Sequence, residues 1–289
     1  MTTNYTTLIS ADQLLDCIAS DRPLMVFDCS FDLMKPQAGD QQFAEAHIPG
    51  AVRADLDRHL SAPHGDPSAA SGGRHPLPSR EAFAAWLASV GFSSDMQAVA
   101  YDRQRANYCG RLWWMLKWVG HENVAVLDGG LPAWYAAGGV VTSGAARVYP
   151  PTQFQAGPPR ATLVTVAQVH ARLGQPTQNM IDARAEARFR GEVEPIDPVA
   201  GHIPGALNRP FGTNIDDDGL FKPAVVLKAE LLELLDGRDP ATVVHHCGSG
   251  VSAVPNIIAM EVAGLGRQPL FAGSWSEWCR DPSLPVEKG

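Results

Sequence analysis

One pentapeptide, written twice, constrains this chain more than anything else in it: His47-Ile-Pro-Gly-Ala51 returns as His202-Ile-Pro-Gly-Ala206. The surrounding order of segments returns with it. Each half opens with a short apolar run ending in Asp (LMVFD, 24–28; NMID, 179–182), and the pentapeptide follows. A second apolar run (AVAYD, 98–102; TVVHHC, 242–247), a helical stretch, a third run (VAVLD, 124–128; QPLFAG, 268–273) and a tryptophan, Trp134 or Trp278, complete it. A repeat on this scale means that one folding unit is encoded twice. Short strand-like runs alternating with helical ones argue for the α/β class, each unit a mainly parallel sheet flanked by helices. Ser10-x-x-Gln13 and Thr165-x-x-Gln168 both have capping-box spacing, and each opens an amphipathic helix at the head of its half. Between the halves, 143–160 holds four prolines and neither helical nor strand periodicity, the pattern of a stiff extended linker. The expected organisation is therefore a first domain over 1–142, a linker over 143–160 and a second domain over 161–289.

In parallel α/β sheets reactive groups gather beyond the carboxyl ends of strands. The repeat puts Asp102 and Cys247 at equivalent strand ends, so only the second half presents a nucleophile. The stretch TVVHHCGSGVSAVPNIIAMEVAG (242–264) reads as strand, tight loop and helix, the apolar run from Val251 through Ile257, Ile258 and Val262 beginning the helix. Gly248 and Gly250, on either side of Ser249, let successive N–H groups turn inward at the positive end of that helix, which makes a nest for an anion. A cysteine at such a place is favoured as a thiolate. Cys247 is thus the candidate nucleophile, whereas Cys17, Cys29, Cys109 and Cys279 read as buried thiols. Five cysteines, widely spaced and without a CxxC pair, suggest neither a disulfide framework nor a zinc knuckle, and they point to a reducing compartment.

With 45% hydrophobic and 19% charged residues the composition is globular, and a net charge of -8 argues against nucleic acid or an anionic membrane as partner. The N-terminal MTTNYTTLISADQLL lacks a basic region followed by an apolar run, and no apolar stretch is long enough to span a bilayer, so cytoplasmic residence is expected. No metal, nucleotide or flavin motif is present, and no cofactor is expected. His245 and His246 are adjacent in a strand, point to opposite faces and cannot share a metal. Trp113, Trp114 and Trp118 fall at helical spacing and read as packing; Trp275 and Trp278 are expected to line the pocket at Cys247.

CGSGVS (247–252), the two HIPGA turns, DARAEARFRGE (182–192), LDGGLPAW (127–134) and GSWSEW (273–278) together give a chain that resembles, over nearly its whole length, the tandem rhodanese-type sulfurtransferases. The resemblance implies two rhodanese-like domains, the second catalytic, with a persulfide carried on Cys247 and Gly248, Gly250, Val251 and Ser252 lining the donor site. Glycine and serine follow the cysteine where thiosulfate-using relatives carry arginine and lysine. That points to mercaptopyruvate as sulfur donor, with thiosulfate as the alternative, and to a thiol such as thioredoxin, or cyanide, as acceptor. The resemblance also carries over a Ser-His-Asp set: Ser249, His75 in GRHPLP (73–78) and Asp57 in ADLD (54–57), the last two expected in the first domain. A hydroxyl oriented by such partners assists proton movement as the C–S bond breaks. Arg188 matches one of two substrate arginines; the position of the other holds Asp197, so either Arg184, Arg190 or Arg209 substitutes, or the donor specificity is broader than the loop suggests. A phosphatase, which on a related fold closes a C-x5-R loop around phosphate, is disfavoured because Ala253 stands where the arginine would be. A non-catalytic sulfur-binding or redox module is the remaining class.

Overall fold

A computed structural model of the chain describes residues 4–20 and 22–289; residues 1–3, where the segment read for a leader begins, lie outside it. The chain divides into two compact units, one of 1–62, 78–160 and 218–220, the other of 63–77, 161–217 and 221–289.

The sheet of the first unit contains β1 (Leu8–Ile9), β2 (Leu24–Asp28), β3 (Val52–Arg53), β4 (Gln97–Tyr101) and β5 (Val124–Leu127), in the order β1-β5-β4-β2-β3 with every pair parallel. Its helices are α1 (Ala11–Ala19), α2 (Ala38–Glu45), α3 (Arg80–Ser89), α4 (Cys109–Trp118) and α5 (Gly130–Ala136). Val26, Val99, Tyr101, Ala125 and Leu127 face Leu14 of α1, Phe43 of α2 and Trp134 of α5. Phe27, on the opposite face, meets Trp86 of α3 and Phe92. Both faces are covered, which is why the central strands read as unbroken apolar runs rather than alternating ones. Trp113, Trp114 and Trp118 are buried in this unit.

The second unit repeats the first strand for strand. Here β6 (Leu163–Val164), β7 (Asn179–Asp182), β8 (Leu207–Asn208), β9 (Val243–His246) and β10 (Leu270–Phe271) are ordered β6-β10-β9-β7-β8, again all parallel. Its helices are α6 (Val166–Ala171), α7 (Glu186–Phe189), α8 (Ala224–Leu235), α9 (Val254–Val262) and α10 (Ser274–Trp278). Both capping boxes form, at Ser10 with Gln13 and at Thr165 with Gln168. The repeated histidines are turn residues that fasten a later segment of each unit. His47 N–H donates to Thr142 O at 2.9 Å and His202 N–H to Glu287 O at 2.9 Å, while their rings stack on Phe43 and Phe189, each with 3.8 Å between centroids.

The structure departs from the pattern in four places. The edge strands β1, β3, β6 and β8 are two residues long, too short to show a period. Segment 143–160 is irregular but lies along the first unit: Thr152 N–H donates to Ala88 O, Arg160 N–H to Lys117 O, both at 2.9 Å, and Phe154 packs on Phe92. Residues 63–77, expected with the first half, belong to the second unit, where Arg74 N–H donates to Ser276 Oγ at 2.9 Å. Helix α9 begins at Val254 rather than Val251, because Gly250 at φ +72° turns the chain first and Pro255 sits in the opening turn.

Candidate active site

Strand β9 is buried throughout and ends against Cys247, whose residue exposure is 2%. The start of α10 grips the cysteine's backbone. Cys247 N–H donates to Ser274 Oγ at 3.1 Å, that hydroxyl donates to Phe271 O at 2.9 Å, Trp275 N–H donates to Cys247 O at 3.0 Å and Ser276 N–H to Gly248 O at 2.8 Å. Ser274 does this from φ +55°, a conformation uncommon outside glycine. Gly250 closes the loop, and a Cβ added there would stand 2.2 Å from Ala272 O. Gly250→Ala therefore meets both the left-handed penalty, about 1–2 kcal/mol, and a backbone clash. A lower thermal-unfolding midpoint with slower persulfide formation is expected, and an unchanged midpoint would show that the loop is free to move.

The first unit has a loop of the same length at the equivalent strand end. Six residues separate Asp102 from α4, as six separate Cys247 from α9. Within its loop the Asp102 carboxylate accepts N–H bonds from Gln104 (2.9 Å), Ala106 (3.0 Å), Tyr108 (2.8 Å) and Cys109 (2.9 Å). Burial raises its pKa against the pull of those four donors. The same spacing from Cys247 falls on Ser249, Val251, Ala253 and Val254, where a sulfur replaces the carboxylate at the strand end. Gly130 of the first unit, whose Cβ would lie 2.3 Å from Asp102 O, has Ser274 as its counterpart. The sequence carries that signal in GGLPAW against GSWSEW.

Ser249 and His75 are brought together: Oγ and Nδ1 are 2.8 Å apart, a hydrogen bond whichever atom carries the proton, and each residue is only 6% exposed. Asp57 belongs to the first unit, where it is exposed and its N–H donates to Asp55 Oδ1 at 3.1 Å. Gly248 and Val251 are buried and Ser252 is half-buried at the head of the loop.

The second cation at the loop is Arg74, which the sequence reading passed over. A Cβ on Gly248 would lie 3.1 Å from Arg74 Nη2 and 3.6 Å from Arg188 Nη1, so both guanidiniums stand over that glycine. Arg188 donates to Glu194 Oε1 at 2.7 Å and to Asp197 Oδ2 at 3.0 Å, while Arg74 donates to Asp197 Oδ1 at 2.5 Å. Burial opposes the charge on Glu194, yet the bonds from Arg188 and from the Asp197 and Ile196 N–H groups hold its carboxyl below the usual range. The three candidate substitutes have acid partners of their own, Arg184 sharing Glu194 with Arg188. Arg184 pairs with Asp182 and stacks 4.7 Å over Trp275, Arg190 is an exposed partner of Glu186 and Glu192, and Arg209 binds Asn214 and Glu230. The one signal for Arg74 was its place beside His75.

Other side chains near the loop are structural. Trp275 and Trp278 are fully buried in the core with Phe271 and Val244. Burial pushes the His245 imidazole down to about 3, with Nε2 3.1 Å from Met260 Sδ, whereas His246 faces Asp182. Burial, reinforced by Asp28 and Asp102, drives the Cys29 thiol up, and burial with Asp102 does the same to Cys109, so neither is a ready thiolate. Among the described residues no helix is long and apolar enough to cross a membrane.

A family model described as the rhodanese-like domain matches residues 10–137 and again 165–281. A Pseudomonas aeruginosa protein described as a probable 3-mercaptopyruvate sulfurtransferase is 46% identical over 98% of both chains. A Mycobacterium tuberculosis protein provisionally named thiosulfate sulfurtransferase SseB is 40% identical over 98% of this chain and 97% of its own. The crystal structure of SseA from Escherichia coli, titled as a 3-mercaptopyruvate sulfotransferase, superposes with a TM-score of 0.77 at 30% identity, covering 94% of this chain and all of that one. The chain belongs to the rhodanese-like sulfurtransferase family, with the domain present twice.

Proposed function

We propose that the chain takes sulfur from 3-mercaptopyruvate onto Cys247 as a persulfide and hands it to a thiol, such as that of thioredoxin, or to cyanide. The observation that supports this best is the pair of guanidiniums over Gly248, beside the Ser249–His75 hydrogen bond and one residue from the cysteine. A 2-keto acid needs planar cationic donors for its carboxylate at one end and a hydroxyl at its carbonyl, a few ångströms from its sulfur. The Cys247 thiolate attacks the donor's sulfur and the C–S bond breaks, with its electron pair passing to the pyruvate enolate. Ser249, held by His75, donates toward the carbonyl oxygen as that charge develops. The enolate carbon takes up the proton released from the transferred sulfur, leaving pyruvate and a persulfide anion among the loop N–H groups. Asp57 has the place in this set that the family resemblance gives it, and no step here depends on it. The identity of the Pseudomonas relative supports the same donor, and five free cysteines fit a reducing cytoplasm.

Thiosulfate is the second reading, favoured by the name of the mycobacterial relative. It is a compact dianion, and neither Gly248 nor Ser249 offers it a cation within the loop. The expected result is a kcat/KM for mercaptopyruvate at least tenfold above that for thiosulfate, about 1.4 kcal/mol of discrimination. Equal use of the two, measured side by side, would overturn the donor assignment.

A further inference from the structure

The two arginines over the loop are already neutralised. Asp197, with its side chain 1% exposed, bridges them through separate oxygens, Oδ1 to Arg74 and Oδ2 to Arg188. Glu194 pairs with Arg188 and with Arg184, which in turn grips Asp182. Three guanidiniums (Arg74, Arg184, Arg188) therefore face three carboxylates (Asp182, Glu194, Asp197) before the Cys247 thiolate is counted. Glu277, a further carboxyl, lies against Gly72 and Gly273, and burial raises its pKa. Asp197 also fixes where the cations are, because both arginines reach Gly248 while bound to it.

We propose that Asp197 is the residue that selects donors by charge: it positions Arg74 and Arg188 for one carboxylate while cancelling the surplus positive charge that a dianion would need. The proposal rests on the persulfide reading above. In a buried setting a unit of charge acts strongly over several ångströms, so the extra negative charge of a dianion magnifies the effect of any change at this position. With either donor the thiolate attacks the outer sulfur. With thiosulfate the S–S bond breaks and sulfite leaves with the electron pair, so a dianion is both bound and released.

Asp197→Asn keeps the shape and removes one negative charge. The ratio of kcat/KM for thiosulfate to that for mercaptopyruvate should rise about tenfold or more, mainly through KM for thiosulfate. Asp197→Ser should move the ratio in the same direction, so the test does not hang on one variant. Arg74→Gln combined with Asp197→Asn restores the balance and should return the ratio toward wild type. Parallel loss of both donors in the single variants, or a ratio that ignores the second substitution, would overturn the role of Asp197. Failure of the wild type to gain sulfur from mercaptopyruvate by intact mass would instead sink the underlying reading.

Discussion

Cys247→Ser is expected to lose sulfur transfer by at least ~10³-fold, with no gain of one sulfur in intact mass after donor treatment. The hydroxyl that replaces the thiol is not ionised near neutrality, and oxygen cannot carry the transferred sulfur as a persulfide. Neither the equivalent position in the first unit nor the thiols beside it are expected to take over. Asp102 occupies the equivalent strand end with a carboxylate bonded to four N–H groups, and the nearby Cys29 and Cys109 are thiols whose ionisation burial opposes. The wild type should accordingly gain a single sulfur, located on Cys247 by peptide mapping. Retention of more than about 1% of activity in the variant, or an added mass on Cys109, would refute the assignment.

Arg188→Ala should lower kcat/KM for mercaptopyruvate by roughly 30-fold to several thousand-fold, the consequence of about 2–5 kcal/mol for removing one partner of a desolvated charge pair. Two effects act in the same direction. The donor's carboxylate loses a planar cation, and Glu194 and Asp197, both inward-facing, are left with one guanidinium fewer. Arg188→Lys should recover little, since a single ammonium cannot reach both acids and the donor in the fork geometry of arginine. A loss under threefold in steady-state kinetics would mean that Arg74 alone holds the carboxylate.

The legibility of this chain follows the range of each interaction. The five-residue strands β2 and β4, the capping boxes and the strand–loop–helix around Cys247 are local, and residue type at fixed spacing reports them directly. The duplicated HIPGA turn made the two-unit architecture visible for the same reason. The two-residue edge strands owe their existence to the neighbour they pair with, so no pattern of their own betrays them. Segment 63–77 shows the limit most plainly. Poor in apolar residues, it is assigned by the polar bonds it makes with α10 and the cysteine loop, such as Arg74 N–H to Ser276 and His75 to Ser249, across more than a hundred and seventy residues. A fragment beginning at 161 would therefore lack both Arg74 and His75.

What the sequence pointed to by itself was the candidate nucleophile, the glycine-bounded loop around it, and the acid at the equivalent position, Asp102, because all three are written within a few adjacent residues. Which cations attend that loop was decided only by the tertiary structure. Asp197 looks in the sequence like a missing arginine, and in the fold it is the anion that seats two arginines, Arg74 and Arg188, on either side of it. Charge complementarity is a property of distances in space, and the 123 positions between Arg74 and Asp197 conceal it from any reading along the chain.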